Sequence, residues 1–226
     1  MLPAILAVLL LLGLMILPQF WIKYVLNRHS RERSDFPGTG GDMARHLLGL
    51  LDIPDVKVEV TDMGDHYDPS SKAVRLTEDK LDGRTLTGVV VAAHEVGHAI
   101  QHHQRESMFG LRSGLGVVTT IFSRAAPVLL VATPLLVWLN PAFSRWALIA
   151  AVVSMVLSVL LNLVTLPVEW DASFGKALPL LENGRYLDDK DMRAARQILM
   201  AAALTYVAGS LASLVNLGVL ARVLRR

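Results

Sequence analysis

Two histidines four residues apart with a glutamate beside the first, His94-Glu95-Val96-Gly97-His98, are the residues of this chain best placed to do chemistry. They sit in an apolar run, Leu86 to Gln101, that has no proline and no strand-like alternation, so a buried helix is expected. On a helix, residues four apart share a face, and both imidazoles converge on one point. Zinc accepts neutral histidine nitrogens and, in catalytic sites, keeps one position for water. Glu95 is then placed to act as general base on that water. With 7 histidines and 7 glutamates in 226 residues, random placement would give the pattern in roughly 0.7% of such chains. Two histidines and a glutamate in an apolar helix are costly to bury without a partner such as a metal, so Zn2+ is the expected cofactor.

A third ligand must come from elsewhere. His102 extends the same helical row, but it lies eight residues, about 12 Å, from His94, and three side chains in a straight row cannot surround one tetrahedral ion. His102 and His103 are expected at the solvated end of the helix. The longer pattern H-E-x-x-H-x-x-G-x-x-H is excluded, because Gln101 and Gln104 stand where it needs glycine and histidine. Glu169, in Leu166-Pro167-Val168-Glu169-Trp170-Asp171, lies at the mouth of an apolar segment, where a carboxylate is expensive unless it has a task. Completing the zinc site is such a task; an interfacial charge beside Trp170 is the plainer alternative. Glu106 is too close to the motif helix, and Glu182, Asp188, Asp189 and Asp191 fall in a turn-rich stretch. Glu169 can meet the histidines only if residues 115 to 168 cross the membrane an even number of times.

The positioning elements follow from composition. Apolar residues make up 53% of the chain and the mean hydropathy is +0.44, and hydrophobicity comes in blocks. Four blocks, roughly 2 to 22, 115 to 139, 146 to 168 and 198 to 221, are long enough to span about 30 Å of hydrocarbon. The first has no basic leader region and no small-residue cleavage site and reads as a retained anchor. Phe20, Trp21 and Tyr24 form its interfacial belt. Asn140-Pro141-Ala142-Phe143-Ser144-Arg145 reads as a turn between the middle two, and Arg124 interrupts the second block. The last block carries a small-residue face for close packing, Ala201 to Ala203 and Ala208 to Ser213.

Between the first and second blocks lies a small α+β segment. Phe36-Pro37-Gly38-Thr39-Gly40-Gly41 reads as a loop, since no strand precedes it and no Gly-Lys-Ser/Thr follows to make a phosphate site. Asp42 is expected to cap a helix from Met43 to Leu51, on which His46 stands alone. Val56 to Val60 alternates as a strand and Ala73 to Leu76 reads as a second. Asp65-His66-Tyr67-Asp68-Pro69 between them reads as a polar, turn-forming cluster, and Asp82 or Thr85 is expected to cap the motif helix. Asp188 or Asp189 is expected to cap a final helix from about Lys190 to Val223.

The expected fold class is a mainly α membrane protein, four transmembrane helices with a small α+β zincin-like catalytic domain. The expected segments are an anchor (1–26), a catalytic domain (27–112), a transmembrane hairpin (113–168), a third-ligand helix and loop (169–197) and a C-terminal transmembrane helix (198–226). The net charge of +2 comes with no basic stripe of the kind that binds nucleic acid, so nucleic acid is not an expected partner. The chain has no cysteine and therefore neither disulfides nor thiolate ligands. Lys23, Arg28, Arg31, Arg33, Arg105, Arg112, Arg193 and Arg196 fall on the motif side of the blocks, against Arg145, Arg222, Arg225 and Arg226 opposite, which favours a cytoplasmic active site.

The chain resembles the bacterial neutral zinc metallopeptidases of the membrane, the YugP-like group, over nearly its whole length. The resemblance rests on Thr39-Gly40 with Met43-Ala44, Asp65-His66-Tyr67-Asp68-Pro69, Ala92 to Gln101, Leu166 to Ser173, and Ala201 to Ala208. It implies an inner-membrane zinc endopeptidase of the gluzincin type, in which a glutamate on a later helix is the third ligand, in agreement with Glu169. Wider membrane gluzincins often carry an aspartate four residues after that glutamate; here the position is Ser173 and the nearby carboxylate is Asp171. In such enzymes the strand before the motif helix pairs with extended substrate, which implies a substrate role for residues 73 to 76, Val74 among them. His66 or Tyr67, or Arg193 or Arg196, could stabilise the oxyanion. The expected partners are protein or peptide substrates associated with the membrane, and the bilayer itself. The rival class is a membrane scaffold or chaperone that keeps zinc for structure alone.

Overall fold

The apolar run around the two histidines forms α4, Leu86–His103, a largely buried helix. Its N-cap is Thr85, whose hydroxyl accepts the Gly88 N–H at 2.9 Å, the bond that a capping threonine offers a helix's unpaired donors. The computed structural model describes residues 2–139 and 142–224. Asn140 and Pro141 of the expected turn, and the terminal Arg225 and Arg226, lie outside the described residues.

Before α4 come α1 (Leu2–Arg28), α2 (Gly40–Leu50), strands β1 (Lys57–Val60), β2 (His66–Asp68) and β3 (Ala73–Leu76), and the single turn α3 (Glu78–Leu81). After it come α5 (Ser107–Leu139) and α6 (Ala142–Trp170), packed against each other. A π-helical segment, Asp171–Ala177, runs on from α6 into α7 (Leu178–Asn183), and α8 (Asp189–Leu224) closes the described chain. Asp188 caps α8, its carboxylate accepting the Asp191 N–H at 2.7 Å. The chain is thus mostly helical with one small sheet. Among the described residues two helical stretches, Val152–Asn183 and Asp189–Val215, are long and apolar enough to cross a membrane by length and composition.

Four expectations need correction. Asp42 is not the cap of α2: Thr39 is, and Asp42 is its third residue. The Thr39 hydroxyl accepts the Asp42 N–H at 3.1 Å while the Asp42 carboxylate accepts the Thr39 N–H at 3.0 Å, a reciprocal capping box. These bonds hold the Asp42 carboxyl below its ordinary pKa. The glycines read as loop therefore open the helix. A Cβ on Gly40 would lie 2.3 Å from the Lys80 carbonyl oxygen and 2.7 Å from that of Gly88, so only glycine lets α2 cross α4 this closely.

The cluster at 65 to 69 contains a strand. β2 pairs antiparallel with β3 (Tyr67 opposite Val74), and β1 pairs parallel with the other side of β3 (Val58 opposite Val74). With order β1-β3-β2, β3 is the middle strand and Val74 is fully buried. The expected pairing of residues 73 to 76 with extended substrate has no free edge to use. Three residues were too few to show a period-two pattern in β2.

α1 is fastened to α4 by polar bonds at its end: Thr87 donates its hydroxyl to the Leu26 carbonyl at 2.9 Å and its N–H to that of His29 at 3.2 Å. Arg33 pairs with the buried Asp191 of α8, one guanidinium nitrogen 2.7 Å from each carboxylate oxygen. The C-terminal end of α1 and the N-terminal ends of α4 and α8 therefore share one side of the molecule.

Candidate metal centre

His94 and His98 stand one turn apart on α4, with ring centroids 4.8 Å apart and rings nearly perpendicular. Glu169, in the last turn of α6, reaches between them: its Oε2 is 3.2 Å from His94 Nε2 and 3.4 Å from His98 Nε2. Two donors held about 2.0 to 2.1 Å from one tetrahedral zinc ion lie roughly 3.3 Å apart. The three side chains each offer a ligand atom, all within 4.8 Å of one another. A zinc-sized cation fits this donor set.

The remaining polar atoms of the two imidazoles are engaged. His98 Nδ1 is 2.9 Å from Gln101 Oε1, and Gln101 Nε2 donates to the Val168 carbonyl at 2.9 Å and to Asp171 Oδ2 at 2.8 Å. Those two acceptors require the amide nitrogen, so the oxygen must face the ring. An amide oxygen only accepts, which puts the proton on His98 Nδ1 and leaves Nε2 bare. His94 Nδ1 is likewise 3.1 Å from Ser173 Oγ. Contacts of this kind orient the histidines of metal sites. Burial opposes a charge on His94, but the bond to Glu169 and the fields of Glu95 and Glu169 outweigh it, and its pKa is raised.

Local sequence explains how α6 comes so close. A Cβ on Gly97 would sit 2.7 Å from the Ala172 carbonyl oxygen, so the glycine inside the motif lets the π-helical segment lie against α4. π-helical segments are rare and recur at functional sites. This one sets Ser173 and Asp171 four and two residues beyond Glu169. Lys176 pairs with Asp171 and, at 2.7 Å, with Glu106, which ties the segment to the start of α5.

The other oxygen of Glu169, Oε1, is 2.7 Å from Arg112 Nη2 of α5. The contact is one of charge: its angles fall short of a hydrogen bond, and this buried oxygen has no donor among the described residues. Arg112, Ser173 and Gln101 were not singled out as site residues by sequence reading. Arg112 could have been, as a charge entering an apolar helix.

A cavity of about 280 Å3 opens on the site, lined by His94, Glu95 and Val90 of α4, Gln19 and Ile22 of α1, Leu199, Ala202, Thr205 and Tyr206 of α8, and Asp65 just before the His66–Asp68 strand. Glu95 is buried on its wall. A larger cavity, about 620 Å3, lies at the far end of α4 among Tyr67, His102 and His103 and reaches neither His94 nor Glu95.

The expected oxyanion residues stand elsewhere. Tyr67 is buried with its hydroxyl 2.8 Å from His102 Nδ1, and burial, helped by Asp68, pushes its phenol up to about 12. That bond also takes His102 out of the solvated end where it was expected; His103 is exposed there. His66 bonds the Gly64 carbonyl at 2.8 Å and does not line the cavity at Glu95. Arg193 and Arg196 line a separate surface depression, with Arg196 bonded to Glu182. His46 is exposed and meets the Tyr186 hydroxyl at 2.7 Å.

The helices thus bring two imidazoles and a carboxylate to one point, with Glu95 beside the first, a donor set that suits a zinc ion. The family described as "Putative neutral zinc metallopeptidase" matches residues 4–225, and the chain belongs to it. Among its relatives is the "Putative membrane protease YugP" of Bacillus subtilis (strain 168), 36% identical over 209 residues, which are 91% of this chain and 89% of that protein. No solved structure matches the chain.

Proposed function

We propose that the protein is a multi-pass membrane zinc endopeptidase of the gluzincin type. The observation that carries this reading is the meeting of His94 Nε2, His98 Nε2 and Glu169 Oε2 at separations that suit one zinc ion, with both Nδ1 atoms already bonded. These three side chains would hold the zinc. When bound, zinc lowers the pKa of its water and polarises a carbonyl. Glu95, next to the first histidine on the cavity wall, takes a proton from the attacking water and passes it to the leaving amine. Arg112 balances the charge of the buried Glu169 carboxylate.

The membrane reading draws on the relative's printed name and on apolar side chains that face outward from three helices. Leu14, Leu17 and Phe20 of α1, Val117 and Ile121 of α5, and Trp146, Ile149 and Leu163 of α6 are all exposed. A water-facing surface of this kind would be an aggregation hazard, whereas lipid covers it at no cost. We take α1, α5, α6 and α8 as four spans in the inner membrane, with the span of α6 ending before Glu169 and the lysine and arginine bias placing the site on the cytoplasmic side. Substrates on this reading are membrane proteins or peptides at the interface.

Glu95→Gln, purified beside the unaltered protein, tests the reading. The variant is expected to bind one zinc per chain, counted by plasma mass spectrometry, and to lose cleavage of fluorescein-labelled casein by at least 100-fold, as loss of a general base does. Unimpaired cleavage would overturn the mechanism. Retained biological activity without any cleavage would favour a scaffold that keeps zinc for structure.

A further inference from the structure

The zinc-site cavity reaches stretches of two helices, 2–22 of α1 and 198–215 of α8, that are mainly apolar. α8 contributes Thr205 and Tyr206, and α1 contributes Gln19. Polar groups within membrane spans are rare and tend to mark a working site. The other hydroxyls of this part of α8 are used locally: Thr205 donates to the Ala202 carbonyl at 2.7 Å and Ser210 to that of Tyr206 at 2.9 Å. Tyr206, on the same stretch, is half-buried. It lines the same cavity as His94 and Glu95, opposite α4.

Peptide hydrolysis by a water activated at Glu95 gathers negative charge on the carbonyl oxygen of the substrate. A positioned donor at that oxygen contributes through charge that develops in the transition state. The arginines and the tyrosine expected for this task stand elsewhere: Tyr67 is bonded to His102, and Arg193 and Arg196 line another depression. Of the cavity residues, Asp65 is an acceptor already bonded to Thr77 and paired with Lys80, and Thr205 gives its proton to its own helix.

We propose that Tyr206 is a catalytic residue of the hydrolysis, its phenol donating a hydrogen bond to the substrate carbonyl oxygen as that carbon is attacked. The proton stays on the phenol throughout, and no group is transferred to or from it. The proposal rests on the peptidase reading above. It also names the side of the cleft on which the scissile carbonyl lies: against α8, with the bond to be cut held between α8 and Glu95.

Tyr206→Phe in the full-length protein removes one oxygen and keeps the ring. Three quantities are compared with the unaltered chain: zinc affinity by competition with a chromophoric chelator, turnover of fluorescein-labelled casein, and binding of the tetrahedral mimic N-phosphoryl-Leu-Trp by calorimetry. The expected result is unchanged zinc affinity, kcat down by about 100- to 1,000-fold with little change in KM, and a comparable loss of affinity for the phosphoryl peptide. Unchanged turnover and phosphoryl-peptide binding would overturn the proposal. Weakened zinc binding would also overturn it, because the phenol would then act by holding Glu169. If the unaltered protein neither cleaves casein nor binds the mimic, the peptidase reading fails and takes this role with it; if it does both while Tyr206→Phe matches it, only Tyr206 is refuted.

Discussion

Ser173 and Gln101 hold the two imidazoles by their Nδ1 atoms, one from the π-helical segment and one from α4 itself. Removing such a partner from a metal-bound histidine costs about 10- to 100-fold in metal affinity or activity. Ser173→Ala and Gln101→Ala are therefore each expected to weaken zinc binding by about that factor, read by chelator competition. Gln101→Ala should be the more damaging, because it also removes the amide's bonds to the Val168 carbonyl and to Asp171. Equal zinc affinity in both variants would show that the histidines need no such support. At this scale much of the centre was legible in advance. The four-residue spacing brings His94 and His98 together, and Glu169 stood out as a carboxylate where a carboxylate is costly. Its partners were not legible, for a physical reason: serine and glutamine are unremarkable residues whose task depends on what a distant helix sets beside them. Ser173 stands where wider relatives would have an aspartate, and the structure sets its hydroxyl against a histidine all the same.

Gly97 works at the scale of elements. It is one of the unspecified positions of the motif, yet its missing side chain is what lets the backbone at Ala172 approach α4. Gly97→Ala puts a methyl 2.7 Å from a carbonyl oxygen, and overpacking of this kind costs about 1 to 3 kcal/mol. Because Glu169 and Ser173 flank the contact, the strain should appear as zinc loss as well as a lower Tm. Calorimetry with and without added zinc would show a smaller zinc-induced rise in Tm for the variant, and an identical rise would rule the contact out as a determinant of the site. Helix α4 was legible from its long apolar run and β1 from its alternation, while β3 was read from a short, mostly apolar stretch alone. The start of α2 was misread: Gly40 and Gly41 look like a loop until the carbonyls of Lys80 and Gly88 are seen against them. β2 was missed for its brevity, and with it the fact that β3 has neighbours on both sides. Tertiary contact, which no local pattern records, decided these cases.

For the whole molecule the decisive matter is which ends share a side. The Arg33 to Asp191 pair and the bonds from Thr87 to α1 put the end of α1 and the beginnings of α4 and α8 together, and Glu169 brings the end of α6 to the same place. α5 and α6, 33 and 29 residues long, measure about 50 and 44 Å at 1.5 Å per residue, more than the roughly 30 Å of a hydrocarbon layer. If both cross, Arg145 at the start of α6 faces the opposite compartment from Lys57 on β1 and Lys190 on α8. The chain has no cysteine, so single cysteines at these three exposed positions can be read without background. An impermeant maleimide should label position 145 in right-side-out vesicles, and positions 57 and 190 only in inverted ones. Labelling of all three from one face would mean that the α5 and α6 hairpin does not cross and lies along the membrane surface. Glu169 would still meet the histidines in that case, since their meeting needs only that the hairpin return. The metal centre would survive such a result, while the four-span reading would not.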